Sequence, residues 1–226
     1  MKKKVLAFIL SLVLALPAGV HASGPTAIST GTVSFRGYTI EGGDKVEMFD
    51  PKGKGELPDI PGLTVPDPDN PDAPYTRPTP EQERRLRELD SMNLVFGNNL
   101  VISNADASYE SANQTGVIVR SSVNWVVTVA IDGFMHESGT ETLRGFTLIL
   151  DPEEKEGVPI SSGAVIRPQK VKISAANGAI GDAQEIAAGN AGIMGCNYNG
   201  ILTVPANSAQ VGNATATLWW TIQAVA

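Results

Sequence analysis

The chain of 226 residues holds one cysteine, Cys196. No disulfide can close within it, so a packed core must supply its stability. The thiol reads as a small buried hydrophobe, with an intermolecular disulfide as the alternative. Histidine is nearly as scarce, with His21 and His136 the two in the chain. A metal-spaced histidine pair is therefore missing, and so is a Gly-x-Ser-x-Gly elbow; no catalytic residue, metal ligand or cofactor is assigned. Basic charge is in deficit, with 17 Lys and Arg against 24 Asp and Glu. That leaves no basic face for phosphates and argues against nucleic acid as a partner. Long apolar runs are lacking too. The run at residues 5–16 is about a dozen residues, against roughly 20 for a helical span, so no membrane span is expected.

That short run has a specific setting. Lys2, Lys3 and Lys4 precede it, and Val20-His21-Ala22 follows as an A-x-A-like cleavage site before Ser23. Together residues 1–22 read as a secretory signal peptide, which places the mature protein outside the cytoplasm. Its removal takes three lysines and moves the formal charge from −7 to −10. No Cys follows the cleavage site to carry lipid, and the end at Ala226 has no apolar tail with a basic terminus. Attachment to a surface is therefore expected to be non-covalent, if it occurs.

Residues 23–50 read as an N-terminal β segment and residues 51–91 as a Pro-rich acidic linker with a short helix. Nine of the 15 prolines fall between positions 51 and 80. Their spacing in Val65-Pro66-Asp67-Pro68-Asp69-Asn70-Pro71-Asp72-Ala73-Pro74 opposes ladder pairing and predicts an extended arm. The acidic residues there superficially resemble a calcium loop, yet the required Gly is missing and the prolines forbid its turn. Next, Thr79 is a capping residue with Pro80 at the first helical position and Gln82 at the third, so a charged helix is expected over 79–91. Leu86 and Leu89 can touch a neighbour while the arginines face solvent.

Residues 92–226 form the main body and read as strands separated by Gly, Asn, Asp and Pro. Segments rich in branched and aromatic residues lie at 32–40, 92–96, 100–103, 116–121, 124–131, 146–150, 170–175, 201–204 and 214–225. This pattern predicts an all-β fold, an antiparallel β-sandwich with a Pro-rich arm and one short inserted helix. In the last segment Ala216, Leu218, Trp220, Ile222 and Ala224 alternate with Thr215, Thr217, Trp219, Thr221 and Gln223. The first set is the expected core face, which turns Trp219 toward the more exposed side. Most acids fall in the linker, the helix and the loop at 151–156, which are ordinary solvated positions; a paired-carboxylate glycosidase needs two on one concave face. The chain is not expected to be an enzyme.

The order of the segments carries a resemblance. Gly200-Ile201-Leu202-Thr203-Val204-Pro205-Ala206-Asn207-Ser208, followed by Ala214-Thr215-Ala216-Thr217-Leu218-Trp219-Trp220-Thr221-Ile222, resembles the ending of WxL-domain proteins, secreted surface proteins of Gram-positive bacteria. Trp220-Thr221-Ile222 stands at the family's distal Trp-x-Leu motif, and Trp125-Val126-Val127 at the proximal one. Leu94-Val95-Phe96-Gly97 is similar to the family's Leu-x-Phe-Gly segment, and Leu143-Arg144-Gly145-Phe146 to the one containing Leu-Lys-Gly-Ala. Val127 and Ile222 replace the family's Leu with a β-branched residue, which keeps burial in a strand.

The resemblance implies a non-catalytic secreted protein that binds cell-wall peptidoglycan, with other surface proteins as further partners. It singles out Trp125, Val127, Trp220 and Ile222, which either bind the wall or pack the core. Trp219 is the better candidate for stacking on sugar rings. A pilin-like or matrix-fibre subunit is the alternative function, because the β segment at 27–40 could complete its own sheet or be donated to a neighbour.

Overall fold

Apolar and polar residues alternate along most of the chain, and period-two alternation buries one face of a strand while wetting the other. The computed structural model describes residues 9–15, 28–36, 46–53, 65–67, 70–75, 80–97, 104–136, 141–153, 157–159, 164–175, 179–208 and 214–225. The elements begin with β1 (Ile9–Ala15), β2 (Ile28–Arg36), β3 (Val46–Phe49), β4 (Val65–Asp67), β5 (Asn70–Tyr75), helix α1 (Pro80–Glu88), β6 (Val95–Gly97) and β7 (Ala107–Ser121). They continue with β8 (Trp125–Ile131), β9 (Phe134–His136), β10 (Glu141–Leu143), β11 (Thr147–Pro152), β12 (Val158–Pro159) and β13 (Ile166–Pro168). The last are β14 (Val171–Ile173), β15 (Gln184–Gly189), β16 (Gly192–Val204) and β17 (Ala214–Ala224).

Two sheets make a sandwich-like all-β fold. The first runs β13-β15-β8-β17-β1-β2-β6, with β9 beside β17 and β10 beside β9; the second runs β14-β11-β16-β7-β3, with β12 beside β16. Pairing is antiparallel except where β17 also meets β2 in parallel, Thr217 opposite Thr32 through Thr221 opposite Arg36. Between the sheets lie Trp125, Val127, Val129 and Ile131 of β8 and Leu218, Trp220 and Ile222 of β17. Val117 and Val119 of β7, Tyr198 and Leu202 of β16, and Leu148 and Leu150 of β11 complete that layer. Each large apolar side chain removed from water contributes about 1.5–3 kcal/mol.

The helix covers the other face of the second sheet. The helix ends at Glu88, short of the expected 79–91; Leu86 within it and Leu89 just past it are buried, and both sit over Gly195 of β16, where a Cβ would meet Leu89 Cδ1 at 2.4 Å and Leu86 Cδ2 at 3.5 Å. Only a glycine admits the helix at that approach. On the exposed side Arg84 pairs with Glu81 at 2.6 Å and also with Glu88. Arg87 turns inward instead, donating to the carbonyls of Gly53 at 2.7 Å and Pro51 at 3.1 Å. Lys52 in turn donates to the Arg87 carbonyl at the helix end. The expected cap Thr79 lies outside the described residues.

Several expectations change. Residues 65–67 and 70–75 are not an unpaired arm: β4 and β5 form a ribbon with Val65 opposite Tyr75 and Pro66 opposite Pro74. In a two-stranded ribbon half the N–H groups point away from the partner, so proline is tolerated there. Strands β7 and β16 run well beyond the expected 116–121 and 201–204, because each serves as the other's partner from Gly192 opposite Ser121 to Val204 opposite Ala107. Strands β9, β10, β12, β13 and β15 fall outside the expected strand segments. The expected strand at 100–103 and residues 154–156 of the acidic loop lie outside the described residues. So do the lysines and the Val20-His21-Ala22 site of the expected signal peptide, although part of its apolar run is β1. That strand lies between β17 and β2, with Ser11 opposite both Thr217 and Thr32.

Candidate functional site

Antiparallel pairing of β8 with β17 brings the two tryptophan motifs side by side. Val127 stands opposite Ile222, Val129 opposite Trp220 and Trp125 opposite Ala224. All four motif residues point into the core: Trp125 and Trp220 are each 1% exposed, and Val127 and Ile222 are fully buried. Trp125 donates its indole N–H to the Asn190 carbonyl at 2.9 Å. Trp220 lies 6.2 Å from the Tyr198 ring at a tilt of 54°, and its indole N–H has no hydrogen-bond partner among the described residues. With both rings enclosed, neither offers a face to a ligand, and packing is the role their burial supports.

Trp219 points the other way. It stands on the outer face of the first sheet, half-buried, with Ala130 opposite it in register. A methyl side chain across the strand pair leaves the indole room to lie over the sheet. Thr128 and Thr221 face each other on the neighbouring rung, and Thr215, Thr217 and Gln223 share the same side of β17. The result is a shallow face of hydroxyls and one aromatic.

Asp132 closes one end of this face. Its backbone N–H donates to the Thr217 carbonyl at 3.0 Å, while its carboxylate accepts from the Thr217 N–H. Burial pushes the carboxyl up from its ordinary value of 3.8, and the hydrogen bonds with Thr217 act against that rise. No sequence signal marks this acid, because an Asp-Gly pair after a strand reads as an ordinary turn.

At the opposite end of β8 the surface folds into a groove of about 430 Å³ beside Asn124, Val126, Val165, Arg167, Ala188 and Val225, with Trp125 in its lining. Gly189 makes room for it, since a Cβ there would meet Trp125 Cζ2 at 2.4 Å and the Val165 carbonyl at 2.6 Å. Asn190 binds Val165 twice, accepting its N–H at 2.7 Å through the side chain and donating its own N–H to the Val165 carbonyl at 3.2 Å.

Cys196 lies apart from both features, in the core between the sheets. Cys196 is buried, donates to the Tyr198 hydroxyl at 3.3 Å, and has its pKa pushed up to about 12 by burial. The Tyr198 hydroxyl donates onward to the Ile186 carbonyl at 2.9 Å. His136 ends β9 opposite Ala214. Among the described residues no three His, Cys, Asp or Glu side chains gather as metal ligands would. No helix among them is long and apolar enough to cross a membrane. Compared with known proteins, the chain matches no family model, no characterised protein and no solved structure.

Proposed function

We propose that the protein is a non-catalytic secreted surface protein, similar to WxL-domain proteins, that attaches non-covalently to bacterial cell-wall peptidoglycan and works there beside other surface proteins. The observation that carries this reading is the outer face of β8 and β17. There Trp219 keeps exposed surface next to Thr128, Thr217, Thr221 and Gln223. A partly open indole can stack on the apolar side of a sugar ring, and hydroxyls and an amide beside it can exchange hydrogen bonds with the sugar. Trp125 and Trp220 then serve the fold: they fill the core beneath the sheet that displays Trp219.

The test is sedimentation of the mature protein with purified peptidoglycan at moderate salt. The wild type is expected to co-sediment, and Trp219→Ala to lose at least about tenfold in affinity with its circular dichroism unchanged. Absence of wild-type binding, or full binding by the variant, rejects the reading.

A fibre subunit assembling by strand donation is the second reading, and one observation favours it. β1 belongs to the expected signal peptide, so processing would unpair Ala214 to Thr217 of β17 and much of β2 along the edges that β1 holds. Such an edge accepts a strand from the same chain or from another.

A further inference from the structure

We propose that the groove at the start of β8 binds a short peptide ending in small apolar residues and a free carboxylate, the chemistry of the peptides that branch from a wall glycan. This rests on the wall-binding reading and assigns the peptide a place distinct from the Trp219 face.

The lining decides the ligand class. Among the described residues three large apolar side chains are strongly exposed, and two of them, Val165 at 45% and Val225 at 44%, stand together here. Their methyl groups match alanine-sized side chains. A sugar would need an aromatic face, and Trp125 has none to give, being enclosed. Arg167 on β13 is exposed and is the one cation of the lining. A guanidinium holds a carboxylate through two parallel hydrogen bonds, a geometry that a neutral peptide end does not offer. The volume of about 430 Å³ falls in the usual range of small-ligand sites, about 300–1,000 Å³.

The walls are also held in place before any ligand arrives. Asn190 fixes Val165 through two hydrogen bonds and accepts the Trp125 indole N–H. Asn124 accepts the Val225 N–H at 2.8 Å, which anchors the last residue of that wall. A preformed groove spends little binding energy on ordering itself. Register puts the Gln223–Val126 pair four residues from the Trp219–Ala130 pair, roughly 13 Å along the strand. A glycan on the outer face could therefore lower a branch into the groove.

The experiment is calorimetric titration of the mature protein with N-acetyl-Lys-D-Ala-D-Ala, with its C-terminal amide, and with a chitin tetrasaccharide that has no peptide. The acid is expected to bind at least about tenfold more tightly than the amide. Arg167→Gln should remove that preference, while Trp219→Ala should leave the acid peptide unaffected and weaken the tetrasaccharide. Equal binding of acid and amide overturns the proposal, as does no peptide binding by a protein that still sediments with peptidoglycan. A dimer that Val165→Asp dissolves also overturns it, since a second copy would then be the occupant. Peptide binding without capture by intact peptidoglycan would uphold the groove and reject the wall reading.

Discussion

At the residue scale, burial sorts the side chains into those that can meet a partner and those that hold the fold. Cys196 belongs to the second group. Enclosed against Tyr198, its thiol is raised to about 12 by burial, so almost no thiolate exists at neutral pH and none of it is accessible. The native protein is expected to leave a disulfide reagent such as Ellman's unreacted over hours, and to give one thiol per chain once denatured. Rapid reaction of the folded protein would refute the buried assignment and revive the intermolecular disulfide. The two motif tryptophans behave alike in burial and differ in polar partners, because Trp125 reaches the Asn190 carbonyl and Trp220 reaches none among the described residues. That distinction depends on where β15 ends, far from both motifs in sequence.

At the element scale, helix α1 matters through two leucines and one glycine. The capping pattern, Pro80 and the apolar pair three apart made the helix legible, since each is a local signal. Its docking partner was not legible, because nothing near residue 86 or 89 points to Gly195. Leu89→Ala is expected to cost about 2–5 kcal/mol, as a buried leucine lost from a tight contact does, and chemical denaturation would measure it. A cost below about 0.5 kcal/mol, the range of surface substitutions, would mean that the helix does not pack there. The strands divide in the same way. β8 and β17 announce themselves by strict alternation of branched and aromatic residues, whereas Gln184–Gly189 and the polar half of β7 carry weak strand preference and are strands through their neighbours.

At the scale of the whole molecule, β2 pairs with the same chain's β17 from Thr32 to Arg36. That pairing does not depend on β1, so loss of residues 1–22 opens an edge only at Ala214 to Thr217 of β17 and the part of β2 before Thr32. The chain without residues 1–22 is therefore expected to elute as a monomer by size exclusion with light scattering across a wide concentration range. Polymers that grow with concentration would favour the fibre reading over a stand-alone wall-bound protein.

By itself, the sequence determined the all-β class, helix α1, the inward turn of Trp220 and the outward turn of Trp219, because these follow from local periodicity, capping and composition. Tertiary structure alone decided that Val127 faces Ile222 across one strand pair, that Asp132 reaches Thr217, and that Val165, Arg167 and Val225 line one groove. The reason is physical: a strand's backbone bonds are satisfied by whichever strand lies beside it, and that choice is made by the packing of the whole chain.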